Sequence, residues 1–462
     1  MTNEEMVAKL NQAIALETEV RDALAGPSPE PPSDIIDVFA GQDLRQVLND
    51  APAGATLRLT DGTYDSGDVL QISKSVHFIT QNTPPEHASP YASVFLTGRG
   101  EQTVFITDEA SDVSFLGIGF KQQNPDYELA LIRGANVLFD RCYGVGDAMN
   151  GLRRGWRTEG FKTKFVNCYA DNIFRPGRDT CVIGAWQDTN GLEVDRCYLR
   201  GGAETIMFGG ADSPSSDRVC KNIRITNSTL TKNPDWYAQG AQLKTPLELK
   251  SCEHVYVADC VLEYAGVSEG QGAYLLVLTV RNQDGNAPWS RIHDVTIERC
   301  HFSKGGGGIN FLGHDDMYPS EDLDGVTIKN CAFVEMNPSG LWSQGGYYGS
   351  GRCTMFNRAP KNITLDAITM DGVDMAALGY FANTPDQPVG LVMQNWKYCK
   401  TEYGWKIDSG GMDVPPASTN ILVLMPDLTY NITANDAGAA GYPNAPSVTA
   451  TQYRSTQSKK KK

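Results

Sequence analysis

One pattern limits this chain more than any other: an apolar residue, a variable one, a second apolar residue, two variable ones, then Cys or another small or apolar residue. It occurs as Val113/Phe115/Ile118, Val137/Phe139/Cys142, Thr163/Phe165/Cys168 and Leu192/Val194/Cys197. It continues as Ile223/Ile225/Ser228, Val255/Val257/Cys260, Val295/Ile297/Cys300, Val326/Ile328/Cys331 and Ile363/Leu365/Ile368. Successive copies start 24, 26, 29, 31, 32, 40, 31 and 37 residues apart, an interval that signals a solenoid. Alternation inside each copy makes it a strand with one face turned inward. The intervals leave room for further short strands, such as Leu247-Glu-Leu and Gly308-Ile-Asn-Phe-Leu, but hold no helical stretch long enough for a βαβ unit. Parallel strands without crossover helices must wind as a coil, each turn bonding to the next about 4.8 Å away. The pattern therefore predicts an all-β chain: a single-stranded, right-handed parallel β-helix of about 10–12 coils, a rod roughly 50–60 Å long.

The cysteines follow from the repeat. Cys142, Cys168, Cys197, Cys260, Cys300 and Cys331 share one register, where a small side chain stacks on its copies just past a bend. They are read as buried thiols packed as hydrophobes. The full set of 11 is odd and contains no CxxC spacing, which favours neither a disulfide framework nor a metal site.

The ends of the chain have a different composition. Residues 1–25 read as an N-terminal helix for oligomerisation or attachment, with Met6, Leu10, Ala13, Val20 and Leu24 as a short heptad stripe interrupted by Glu17. Residues 26–33 form a Pro-rich linker, a stiff spacer. The capped β-helix is expected over 34–430, its open end covered by the amphipathic stretch Asp43-Leu-Arg-Gln-Val-Leu-Asn-Asp. Residues 431–462 read as a polar tail ending in Lys459–Lys462. No signal peptide is legible at Met1-Thr-Asn-Glu-Glu and no run of 18 apolar residues occurs, so no membrane insertion is expected. A net charge of −15 argues against nucleic acid as the main partner.

The cap followed by Gly54-Ala-Thr-Leu-Arg-Leu-Thr-Asp-Gly-Thr-Tyr resembles the usual opening of the pectate-lyase-like superfamily of right-handed parallel β-helices. Leu247-Glu-Leu-Lys-Ser-Cys, Leu278-Thr-Val-Arg-Asn-Gln-Asp-Gly, Pro288-Trp-Ser-Arg-Ile-His-Asp-Val-Thr-Ile, Gly313-His-Asp-Asp and Tyr403-Gly resemble bacterial β-helix repeat proteins. The resemblance covers roughly residues 40–430 and implies the fold, whose members include lyases, hydrolases and non-catalytic adhesins. The helix-plus-linker front end resembles bacteriophage tailspikes and other virion fibres in architecture.

Loops along one side of such a rod form an extended groove suited to a long glycan. Aromatic residues between strands, including Trp186, Trp236, Tyr237, Trp289, Trp342, Tyr347 and Tyr348, could stack on sugar rings. Asp315, Asp316, Glu321, Asp322 and Asp324 crowd residues 314–324, where paired carboxylates could hydrolyse a glycoside or hold Ca²⁺. For a lyase, Arg281 beside Asp284 supplies the cation. Glu248 and Lys250 alternate on a strand and read as a surface pair. Six histidines show no ligand spacing, and Gly305-Gly-Gly-Gly lacks the Lys-Ser/Thr of a phosphate loop.

Two expectations follow. The first is a structural, receptor-binding fibre or spike of a phage-like particle: trimeric, attached to other virion proteins through its N-terminal helix, and engaging surface polysaccharide. Such a protein would be virion-associated, or cytoplasmic before assembly, and would need no cofactor. The alternative is a polysaccharide lyase or glycoside hydrolase of the same fold, with Asp315, Asp316, Glu321, Arg281 and Asp284 as catalytic candidates.

Overall fold

The computed structural model describes residues 34–268, 271–339, 349–372, 377–381 and 387–398, and the strands at 403–407, 410–412, 420–421 and 424–425. The expected attachment helix, the linker and the tail lie outside them. The described chain winds as a right-handed parallel β-helix with three faces per coil.

The repeat read from the sequence builds two of those faces and the corner between them. On the first face Val113 pairs with Val137 and Val137 with Thr163. Further along, Val255 pairs with Val295 and Val295 with Val326. The bend comes from a single residue before each small inward position: Gly117, Arg141, Asn167, Arg196, Asn227, Asp259, Arg299, Asn330 and Ala367 all have φ between +50° and +73°. One left-handed residue between extended ones turns the chain while keeping Phe115 and Ile118 both inward. Long strands Leu323–Met336 and Lys361–Gly372 run straight through this corner, joining the first two faces into one 25-stranded sheet. The third face is a separate sheet of 13 described strands, parallel except Gly410–Met412, which turns back along Tyr403–Ile407.

Stacking at the coil spacing fills the interior. Phe78, Phe115, Phe139 and Phe165 lie ring on ring at 4.9, 5.0 and 4.9 Å, close to the distance between neighbouring strands. The cysteine ladder runs beside them. The thiols of Cys142, Cys168 and Cys197 donate to the carbonyls of Phe115, Phe139 and Phe165 in the preceding coil at 3.3, 3.3 and 3.5 Å. All ten described cysteines are buried, and burial pushes the thiols of Cys142, Cys197, Cys260 and Cys300 upward. Small size and a weak donor suit a position facing a carbonyl one coil away.

The N-terminal end is closed by the helix Leu44–Asp50, which buries Leu44 and Leu48 and is capped by the Asp43 carboxylate on the amides of Arg45 and Gln46. A strand the sequence reading did not foresee, Ile35–Val38, precedes it and pairs with Ala55–Leu59. Four residues between a proline-rich stretch and Gly41 are too few to show a period, so only pairing reveals them. No helix among the described residues is long and apolar enough to cross a membrane.

Candidate functional site

The outward side of the third face holds a set of buried ionisable groups. Its strands Glu204–Phe208, Thr245–Leu249, Tyr274–Thr279, Gly307–Leu312 and Arg352–Asn357 stack in register, with Ile206, Leu247, Leu276 and Ile309 turned into the core. Between them Met207, Glu248, Val277 and Asn310 face outward. There a cleft of 480 Å³ is lined by Lys244, Glu248, Lys250, Tyr274, Arg281 and Arg352, among others. Thr245, the register partner of Glu204, lines it on the same side.

Glu204 and Glu248 are almost sealed, their side chains 1% and 2% exposed. Lys244 Nζ stands 2.8 Å from Asp179 Oδ1 and 3.4 Å from Glu204 Oε1. Lys250 Nζ lies 3.4 Å from Glu248 Oε2. The corner leading into Glu204 is held from several sides. Ala203 O accepts from the amides of Lys244 and Thr245 at 2.9 and 3.1 Å, and from Lys232 Nζ at 2.9 Å. Lys232 Nζ also reaches Gly202 O at 2.6 Å, and Thr180 Oγ1 accepts from Ala203 N at 2.8 Å.

This packing separates the acids. Burial drives the Glu204 carboxyl well above the usual carboxylate range, and the charges of Glu248 and Asp179 add to it against the pull of Lys244 and Lys250. Burial acts on Asp179 in the same direction, but Lys244 outweighs it and holds Asp179 below its ordinary value. Glu204 Oε1 has no hydrogen-bond partner among the described residues. Lys244 and Lys250 are desolvated too, yet the surrounding carboxylates keep both above the ordinary lysine value. A carboxyl pushed up beside one held down, flanked by two ammonium groups, could pass a proton.

The acidic segment expected to carry chemistry is built differently. Asp315 is 6% exposed, but its carboxylate accepts from the backbone amides of Asn282, Met317 and Tyr318 at 2.7, 2.7 and 3.1 Å. It shapes a loop. Asp316 pairs with Arg281, Glu321 lies 3.6 Å from Arg291, Asp322 pairs with Lys361, and Asp324 accepts from Asn362 Nδ2 at 2.8 Å. Asp315 and Asp316 meet at Arg281, whose Nη1 lies 3.9 Å from Asp315 Oδ1, while Glu321, Asp322 and Asp324 each turn to a different partner. They do not fit a Ca²⁺ cage, since Asp315 is occupied by amides and Asp316 by a guanidinium. Among the described residues no metal-ligating cluster of three or more acids, histidines or cysteines forms. Asp284 is exposed and its amide donates to Asp212 at 3.1 Å. Arg281 alone of this set reaches the cleft.

The aromatic candidates divide as well. Trp236 is 2% exposed and stacks on Phe174 at 4.6 Å, with Tyr237 packed against the same cluster; its ring is closed to a sugar. Half-buried Trp289 donates its indole N–H to Ser213 O at 3.0 Å. Trp342, Tyr347 and Tyr348 lie outside the described residues. Asp179, Glu204, Lys232 and Lys244 were not singled out from the sequence, and Glu248 with Lys250, read as a surface pair, lines the cleft instead. The missed signal is a charged residue inside a short apolar strand, as in Glu204-Thr-Ile-Met-Phe and Thr245-Pro-Leu-Glu-Leu.

No protein-family model matches the sequence, nor does the sequence of any curated protein. Solved structures do. The catalytic unit of a thermostable GH87 α-1,3-glucanase from Streptomyces thermodiastaticus strain HF3-3 superposes with a TM-score of 0.52 at 12% identity, over 87% of this chain and 72% of that one. A mutant of the PL6 family alginate lyase AlyGC gives 0.51 at 14% identity, over 88% of this chain and 59% of that one. The tailspike gp49 from Acinetobacter baumannii bacteriophage Fri1, a capsular polysaccharide depolymerase, gives 0.45 at 11% identity, over 86% of this chain and 62% of that one. The chain thus spans about three-fifths of the alginate lyase and of the tailspike. What the likenesses to the glucanase and the alginate lyase establish is the right-handed parallel β-helix fold.

Proposed function

We propose that the protein binds a polysaccharide along the outward side of its third face and hydrolyses it there, with Glu204 as the proton donor. One observation carries this reading: Glu204, buried and held protonated, stands beside an Asp179 held ionised. As the glycosidic C–O bond breaks, the leaving oxygen takes the Glu204 proton. Water attacks the sugar carbon and gives its own proton to a neighbouring carboxylate, Asp179 or Glu248. Lys244 and Lys250 balance the carboxylate charge and, being held protonated, do not serve as bases. The fold is shared with a glucanase and an alginate lyase, and a long glycan is the ligand class proposed here.

A second reading, β-elimination on an acidic glycan, draws support from Arg281 and Arg352 at the cleft. A third is a virion spike that holds the glycan uncut. It draws support from the heptad stripe of residues 3–25, and a mass measurement with and without residues 1–30 tests its oligomeric part.

Digestion of a panel of bacterial and plant polysaccharides separates the three. Hydrolysis is expected to release reducing ends without ultraviolet-absorbing unsaturated products, and Glu204→Gln to abolish the release. Unsaturated products would replace it with elimination. Binding without cleavage of any member would leave the spike.

A further inference from the structure

The outward side of the third face continues past Glu204 towards the N-terminal end of the rod. One register row runs Glu128, Arg154, Cys181, Glu204 on successive strands. Arg154 therefore stands two coils from Glu204, about 10 Å along the rod. Over this stretch lies Trp186, which directly follows the strand Cys181–Ala185. Its ring folds back over Gly184, where an added Cβ would stand 2.8 Å from the indole Cη2. Any side chain at 184 would lift the ring, so the glycine provides its seat.

Two guanidinium groups approach this half-buried indole, Arg154 at 4.7 Å from the ring centroid and Arg157 at 5.8 Å. Arg157 is already committed, 3.0 Å from Glu128 and 3.7 Å from Glu159. Arg154 makes no ion pair among the described residues. Glu128 is 4% exposed, and its Oε2 has no hydrogen-bond partner although Oε1 accepts from Gln102 Nε2 at 3.1 Å. Indole, free cation and unsatisfied acceptor thus occupy one patch of the face that carries the cleft. In a chain with a net charge of −15, a guanidinium stacked on an aromatic ring and left without a carboxylate is a receptor for one.

We propose that Trp186 and Arg154 form a distal subsite for a carboxylated pyranose residue of the same polysaccharide whose cleavage is assigned to Glu204. This assignment rests on that function. The indole takes the C–H face of the ring and Arg154 pairs with the sugar carboxylate. Such a subsite fixes the register of the chain and selects an acidic unit at a set distance from the scissile bond. It does not touch the reacting atoms.

The test is calorimetric titration of the full-length Glu204→Gln protein with an acidic hexasaccharide built of uronate units and with a neutral gluco-hexasaccharide. Arg154→Gln is expected to weaken the acidic ligand roughly tenfold and leave the neutral one unchanged. Trp186→Ala is expected to weaken both, and Trp186→Phe to restore most of the loss, which separates ring stacking from misfolding. Unchanged affinity for the acidic ligand in Arg154→Gln overturns the subsite. If the parent binds only the neutral ligand, the subsite falls and the proposed hydrolysis stands. If neither ligand binds and no polysaccharide is cut, both fall.

Discussion

Two regions of this rod gather carboxylates and cations, five acids in one and three in the other, and they hold them differently. In residues 314–324 the acids are neighbours in sequence, and the loop disperses them: Asp315 onto backbone amides, Asp316 and Asp322 onto separate cations. On the third face the acids are far apart in sequence, and the winding assembles Asp179, Glu204 and Glu248 around two lysines. The loop acids reach water or amides and stay satisfied. Glu204 and Glu248 are sealed from water beside the half-exposed Asp179, so burial and like charge raise Glu204 while Lys244 lowers Asp179. Crowding in the sequence is a poor guide to crowding in space when each coil returns the chain to the same place.

The sharpest way to break this contrast is to neutralise one acid in each region. Glu204→Gln is expected to lower turnover on the cleaved polysaccharide by about 10²–10⁴-fold while leaving the fold intact. Asp315→Ala, by contrast, strips three amides of their acceptor and is expected to cost about 1–3 kcal/mol in denaturant unfolding. The folded fraction of that variant should keep its specific activity. A reversal, with Asp315→Ala inactive and stable and Glu204→Gln active, would return the chemistry to the loop.

Lys244 sharpens the comparison through pH. Its charge holds both Asp179 and Glu204 lower than they would otherwise be. Lys244→Met should therefore move both limbs of the pH–rate profile upward. A profile unmoved by the substitution would mean that the ammonium does not act on these acids.

The sign of linkage differs between faces. Glu298, on the first face, is held at about 2: burial opposes this, but hydrogen bonds from Lys329, Tyr256 and Arg299 prevail. A depressed carboxylate adds stability above its ordinary value of 4.5, and that stability is lost as pH falls towards 2. Glu298→Gln should flatten the acid side of a Tm-against-pH curve. Glu204 is raised instead, so its cost to the fold grows as pH climbs above the ordinary carboxylate range, and Glu204→Gln should flatten the opposite side. The Glu298 effect is expected to reach at most about 3 kcal/mol.

The difference between the regions also explains how far the sequence could be read. The first two faces show their inward positions plainly, because Val137, Phe139 and Cys142 alternate with exposed or half-exposed residues. Strands of the third face such as Glu204–Phe208 and Thr245–Leu249 are buried at every position, so alternation vanishes there and the carboxylates look like isolated exceptions. The corners were equally hidden, since the left-handed residue is Arg, Asn, Asp, Gly or Ala from coil to coil. Trp236 shows the limit of composition: its type suits sugar stacking, but Phe174 already occupies its ring.

Everything proposed for the third face depends on where one proton resides near neutral pH. An infrared difference spectrum between the parent protein and Glu204→Gln reports it directly. The expected result is a protonated carboxylic-acid carbonyl band in the parent that disappears in the variant. A parent spectrum showing only the carboxylate stretch for Glu204 would contradict its assignment as the acid.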